Sequence, residues 1–253
     1  MAHILALDTS AQACSVALYK AGEVISGFEM TPREHTQRLM PMIRNLMAEA
    51  ALALSQLDAI AFGAGPGSFT GLRITAGVAQ GLAFGLGVPV IPVSTLEALA
   101  LQVAMDPRWS SRADIEPQSL QILALLDARM SEVYAAAYTA KTSEANNTPE
   151  LHPLMNECVA SVESVLSSPQ MQALKTDSEL VVVGDGWLVD EESWAKEVSV
   201  QEKNLMPDLT PRAEEMVQIA YRKWCKGQTV HAEQCSPIYL RDEVTWKKLP
   251  GRE

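Results

Sequence analysis

Short apolar runs alternate with longer stretches of helical spacing along this chain, and their order predicts the elements. His3 to Thr9 is almost wholly apolar and reads as a buried strand. Ser15 to Lys20 and Glu23 to Met30 read as two strands around an Ala21-Gly22 turn. Glu34 to Leu54 carries helical spacing, with Thr31 or Pro32 near its start. Asp58 to Phe62 reads as a strand, Ser68 to Leu86 as a helix, and Val88 to Val93 as a strand bounded by prolines. Ser94 with Glu97 three residues on is a capping-box pattern that opens the next helix. Strands first, then helices and strands in turn, predict an α/β sheet of mixed direction.

Asp106 to Ser119 is polar and contains prolines, so it reads as a boundary before a second unit. Leu120 to Leu126 and Glu132 to Thr139 predict a hairpin around Asp127-Ala-Arg129, followed by a polar loop from Lys141 to Glu150. Leu180 to Val183 is a strand ending in Gly184-Asp-Gly186. Pro211 to Lys226 predicts an amphipathic helix, capped by Thr210 with Pro211 at its first position. The tail, 236–253, is mixed and holds Tyr239, Trp246 and the pair Lys247-Lys248.

Two helices carry surface signals. In the Glu34 helix, Leu39, Ile43, Leu46 and Ala50 form one apolar stripe, and Met40, Met47 and Ala51 a second, offset one. One stripe suffices to seat a helix on its own sheet. A second, methionine-rich stripe fits either another subunit or a neighbouring helix of the same chain. In the Ser68 helix, Gly77, Gly81 and Gly85 recur every four residues and share a face. Each costs about 1 kcal/mol of helix stability relative to Ala, so the stripe predicts a close approach of another backbone.

Composition bounds the chemistry. The 253 residues suit one large domain or two small ones, and the net charge of −11 argues against direct grip on nucleic acid. The cysteines, Cys14, Cys158, Cys225 and Cys235, form no CxxC pair or zinc spacing and read as buried free thiols. The N-terminal residues lack a basic leader, and Ile74 to Val93 holds Gln80, Pro89 and several glycines. The expectation is a cytoplasmic protein without a membrane span.

Candidate chemistry gathers at two turns. Asp8-Thr9-Ser10 ends the first strand, a place where α/β sheets bind phosphate or metal, although Thr9 and Ser10 also suit a plain turn. Gly63-x-Gly65-x-x-Ser68 misses the third glycine of the dinucleotide fingerprint, lacks the Lys of a phosphate loop, and gives Ser68 no GxSxG frame. Exposed N–H groups there could still hold an anion or cap a partner. His3, His35, His152 and His231 are too widely spaced for a helical metal pair.

These features meet in one resemblance. Ile4-Leu-Ala-Leu-Asp-Thr-Ser10, Arg33-Glu-His-Thr-Gln-Arg38, Gly65-Pro-Gly-Ser-Phe-Thr-Gly-Leu-Arg73, Asp127-Ala-Arg-Met-Ser-Glu-Val-Tyr134 and Pro237-Ile-Tyr-Leu-Arg241 resemble the TsaB (YeaZ) family over essentially the whole chain. The resemblance implies the actin-like, sugar-kinase and Hsp70-like ATPase fold with two ribonuclease-H-like lobes. The implied division is an N-terminal lobe over 1–105 completed by a returning helix within 208–235, a second lobe over 106–207, and a tail over 236–253. The related, catalytic TsaD-like proteins open with an acidic pair where this chain has Gln12 and Ala13. They also carry two metal-binding histidines where it has Thr95 and Leu99.

The resemblance therefore implies a non-catalytic subunit with no cofactor of its own, ATP and metal belonging to TsaD and TsaE. It would pair with TsaD through its first two helices and, with TsaE, support threonylcarbamoyl transfer to the adenosine beside the anticodon of tRNAs. Contact with tRNA would be indirect. The expected interface, with TsaD or in a homodimer, comprises His35, Leu39, Met40, Ile43, Met47, Leu72, Ala76, Ala79 and Ala83. Asp8, Thr9 and Ser10 stand as candidates for residual nucleotide binding. The competing reading is an independent ATP-dependent enzyme, kinase-like or hydrolase-like, working through Asp8 and the Gly65–Gly71 turn. A metalloprotease, the third reading, finds no motif.

Overall fold

A computed structural model describes residues 2–110, 120–141, 148–174 and 180–241. The first half runs β1 (His3–Asp8), β2 (Ala13–Lys20), β3 (Glu23–Met30), α1 (His35–Glu49), β4 (Ala59–Gly65), α2 (Phe69–Leu86), β5 (Val90–Ser94), α3 (Thr95–Met105) and the short α4 (Pro107–Ser110). The second runs β6 (Gln121–Arg129), β7 (Glu132–Lys141), β8 (Glu150–Ser161), α5 (Val162–Leu166), α6 (Pro169–Leu174), β9 (Leu180–Val183), α7 (Glu191–Glu197), β10 (Leu205–Met206) and α8 (Ala213–Cys225).

The strands form two five-stranded sheets, ordered β3-β2-β1-β4-β5 and β10-β9-β6-β7-β8. In the first, β1 and β2 and then β2 and β3 pair antiparallel, while β4 and β5 join in parallel. Read from its other edge, the second sheet repeats this: β6, β7 and β8 are antiparallel, and β9 and β10 are added in parallel. The same topology twice is the two-lobed, ribonuclease-H-like arrangement of the actin-like fold. It sets Asp8 at the end of β1, and Asp127 near the end of β6, the central strand of the other sheet.

Three apolar clusters hold the layers. Helices α1 and α2 cover one face of the first sheet, where Leu39, Ile43, Leu46 and Ala79 meet Leu5, Leu7, Val16 and Phe62. Helices α3 and α8 fill the space between the sheets; Leu96, Leu101, Val217 and Ala220 share one core with Ile4 and Ile91 on one side and Ile122 and Val181 on the other. Helices α5 to α7 cover the far face of the second sheet around Trp194. The four cysteines are free, but Cys225 is exposed and Cys158 half-buried rather than buried as expected.

Some boundaries differ from the sequence reading for physical reasons. Helix α1 stops at Glu49, short of Leu54, because Ala51 turns left-handed. The Leu52 N–H then bonds Met47 O and the Ala51 N–H bonds Ala48 O, a Schellman closure without glycine. Helix α8 begins at Ala213, not Pro211, and Thr210 does not cap it; the Ala213 N–H is taken by the Ser15 hydroxyl of β2 at 2.9 Å. Strand β8 follows the expected polar loop and was not foreseen, since Pro153 and two register shifts against β7 break its alternation. Both are tolerated because β8 is an edge strand. Trp246, Lys247 and Lys248 lie outside the described residues.

Candidate functional site

Asp8, Thr9 and Ser10 come together with the glycine-rich turn, and all three are buried. One Asp8 carboxyl oxygen, Oδ2, accepts hydrogen bonds from the Ser10 N–H at 3.2 Å and the Ser10 hydroxyl at 3.0 Å. The other, Oδ1, has no hydrogen-bond partner among the described residues. A side chain at Gly63 would collide with it. Burial pushes the Asp8 carboxyl up to about 7, with the two Ser10 bonds pulling the other way.

The turn seats the chain's own strand end. Ser68 caps α2, its hydroxyl accepting from the Gly71 N–H at 3.3 Å. The Ser68 N–H, a donor that an anion would need, goes instead to Ser10 O at 2.7 Å. The Thr9 hydroxyl donates to Gly71 O at 2.8 Å and lies 2.6 Å from the Thr75 hydroxyl. A side chain at Gly71 would overlap Thr9 O, and one at Gly67 would sit 2.7 Å from Ser10 O. The close backbone approach inferred for this segment therefore occurs at Gly67 and Gly71, on the N-terminal side of the stripe that suggested it.

Neither the Thr95 nor the Leu99 position offers a ligand. The Thr95 hydroxyl donates to Pro66 O, and Leu99 is fully buried against Gly184. Among the described residues, no group of three or more His, Cys, Asp or Glu side chains is placed to hold a metal. The histidines stay apart: His3 bonds Gln56 O at 2.9 Å, His35 opens α1, His152 pairs with Thr139 on β8, and His231 precedes a short turn. His35 is half-buried, and its Nε2 has no partner among the described residues.

The expected interface residues require a correction. Leu39, Ile43, Met47, Leu72, Ala76, Ala79 and Ala83 are all buried in this chain's own core and offer little or no surface to another protein. Of that set, His35 and Met40 are half-buried. The outward side of α2 is different. Gly77, Gly81 and Gly85 are exposed, and a Cβ built on any of them would find nothing within 4 Å. Phe84 beside them is 70% exposed, while Ile74, Val78 and Leu82 are half-buried. The outward side of α1 carries Gln37, Arg44, Asn45 and Glu49. Sequence spacing found the glycine stripe but assigned the neighbouring alanines to the outside.

A second buried carboxyl escaped the sequence reading. Glu215 on α8 is 6% exposed, and its Oε2 has no partner among the described residues. Burial, helped by the negative charge of Glu214, pushes it up to about 8. Nothing in the amphipathic pattern marks it, because its neighbour Glu214 lies on the same acidic first turn.

Comparison with known proteins gives a consistent result. Residues 28–248 match the family model described as TsaD, tRNA N6-adenosine threonylcarbamoyltransferase. The chain is similar to the tRNA threonylcarbamoyladenosine biosynthesis protein TsaB of Escherichia coli strain K12, 40% identical over 253 residues and 99% of both chains. The protein of that name from Haemophilus influenzae is 41% identical over 99% of this chain and 98% of its own. Among solved structures, YeaZ from Pseudomonas aeruginosa aligns with a TM-score of 0.76 at 38% identity, covering 95% of this chain and all of that one. A second Pseudomonas aeruginosa structure, described as similar to peptidase YEAZ, aligns with a TM-score of 0.78 at 39% identity, with the same coverage.

Proposed function

The chain belongs to the TsaB (YeaZ) family, and from that premise we propose that it serves tRNA threonylcarbamoyladenosine biosynthesis as a non-catalytic subunit. It docks a TsaD-type enzyme through the outward side of α2 together with the adjoining edge of α1. With TsaE it supports threonylcarbamoyl transfer to the adenosine beside the anticodon. ATP and metal are held by those partners, and the tRNA is reached through them. Cytoplasmic localisation accords with such a role, and no helix among the described residues is long and apolar enough to cross a membrane.

The observation that carries this reading is the bare ridge of Gly77, Gly81 and Gly85 beside the exposed Phe84. Three helix-interior glycines cost stability without serving the chain's own packing. A surface of small residues flanked by apolar ones lets a second helix approach closely, and an exposed apolar patch marks an interaction site. The same face allows self-pairing when the partner is absent, since an isologous contact reuses one patch. The buried Asp8 and the Ser68 N–H, already taken by Ser10 O, support the non-catalytic part of the proposal.

Gly81→Arg tests it. The position is open, so the variant should fold, yet a guanidinium on the ridge should abolish co-purification with the TsaD-type subunit and remove any dimer seen by light scattering. Retained pairing would overturn the docking reading. Metal-dependent ATP turnover by the purified chain alone would overturn the non-catalytic one. Arg at Ala76 or Ala79 is no substitute, because both side chains are in the core.

A further inference from the structure

The segment after α8 crosses the molecule in a way that the docking role does not need. Cys235 tucks under α2, its thiol donating to Ala76 O at 3.4 Å. Three residues on, the Ile238 N–H donates to Ala64 O of β4 at 2.7 Å. The Ile238 carbonyl lies 2.8 Å from the place where a Cβ on residue 65 would sit, so the turn there accepts only glycine. Arg73 of α2 donates from Nε to the Tyr239 hydroxyl at 3.1 Å, and its guanidinium lies 3.6 Å over the Phe69 ring. The Phe69 and Tyr239 rings are 5.8 Å apart.

Two residues further, the same strand of chain is on the other lobe. Arg241 donates from Nη2 to Ala128 O at 3.3 Å and pairs with the Glu132 carboxylate, while its Nη1 faces Met130 Sδ at 3.6 Å. The pair is shielded, with the Arg241 side chain 20% exposed. Ala64 follows β1's neighbour into the glycine turn, and Ala128 and Glu132 flank the β6–β7 turn. One turn closes β4 in the first sheet and the other closes β6 in the second. The α3–α8 layer already joins the lobes on one side through a shared apolar core. The crossing segment joins them a second time, from Ala64 in the first lobe to Ala128 and Glu132 in the second.

We propose that residues 236–241 form a latch that ties the β4–α2 turn of the first lobe to the β6–β7 turn of the second and holds the lobes together there. Its two fastenings are chemically distinct: a backbone hydrogen bond at Ile238 on the first lobe, and a charge-assisted bond at Arg241 on the second. Release of either end frees the two turns without disturbing the α3–α8 core. Gly77, Gly81 and Gly85 make none of its contacts, whereas Arg73, one turn before Gly77 on the same face, holds Tyr239.

Amide hydrogen exchange on the full chain tests this. Arg241→Glu and Glu132→Arg should each speed exchange at Ile238 and across 65–71 by at least tenfold, leaving α3 and α8 unchanged. The double variant, with the charges exchanged, should return those rates to within threefold of the parent. Ile238→Pro, which removes the N–H donor, should open the same turn while Arg241 keeps its hold on Glu132. Unchanged exchange at 65–71 in the single variants would overturn the latch, as would failure of the charge exchange to restore protection. Equal acceleration in α8 would also overturn it, because the contact would then serve global stability alone.

Discussion

Replacing Asp8 by Asn should stabilise the protein, and by more as the pH rises. The carboxyl is 1% exposed, and burial lifts it from 3.8 to about 7. The folded chain thus holds this proton more tightly than the unfolded chain, so its contribution is fully favourable below about pH 4 and is lost as pH rises through about 7. At about 1.4 kcal/mol per pH unit, the loss is roughly 1.5 kcal/mol at pH 5, where the unfolded chain has already ionised, and about 4 kcal/mol by pH 8. Asn has the same shape and no charge to bury. It keeps an oxygen for the two Ser10 donors and sets an amide where the acid leaves Oδ1 unpartnered. Urea denaturation at the two pH values should therefore show the advantage of Asp8→Asn growing by about 2–3 kcal/mol. A gap that stays constant, or a variant less stable at pH 8, would refute the reasoning. Supplied with its partner proteins, the same variant should retain tRNA modification; a loss without unfolding would return Asp8 to a chemical role.

Three further outcomes follow from the same contacts. Gly71→Ala places a methyl group into Thr9 O and should lower stability by about 2 kcal/mol or more in thermal or urea unfolding, because both partners are backbone. Gly77→Ala, with open space at the Cβ position, should instead raise stability by about 0.5–1 kcal/mol while the fold is unchanged by circular dichroism; a loss would mean the outward face is not free. Ser15→Ala removes the hydroxyl that receives the Ala213 N–H and should cost about 1–2 kcal/mol, read as a lower urea midpoint at unchanged slope.

The first sheet was legible because each strand is a short apolar run closed by a turn, and because Ser68 and Ser94 cap their helices with their own hydroxyls. The second lobe was less so. Strand β8 is an edge with a proline and irregular pairing, and α5, α6 and α7 are each under two turns, too short for a period to show. The start of α8 was misplaced because its cap comes from Ser15, some two hundred residues earlier, which no local pattern reveals. Pairing of Asp8 with the glycine turn was foreseen as a place in the fold, but burial of the pair was not. The glycine turn also receives the Ile238 N–H on Ala64 O from the far end of the chain, which no local pattern reveals.

The misassigned face of α2 has a cause that bears on function. Along α1, charged and amide residues such as Arg44, Asn45 and Glu49 mark the solvent side, and the buried residues follow from them. Along α2, Thr70, Arg73, Thr75 and Gln80 are the polar residues of an otherwise small and apolar sequence and form no stripe from which to orient the helix. Gln80 turns toward the segment after α8, bonding Ala232 O at 2.9 Å, and does not mark the outside. A helix apolar all round is ordinarily enclosed. This one is enclosed on one side by its sheet, where Ala76, Ala79 and Ala83 lie, and bare on the other, where Gly77, Gly81, Phe84 and Gly85 lie. The ambiguity in the pattern and the bare ridge in the fold thus have the same origin, a helix whose composition anticipates a second layer, and this supports a partner on that side more strongly than either observation alone.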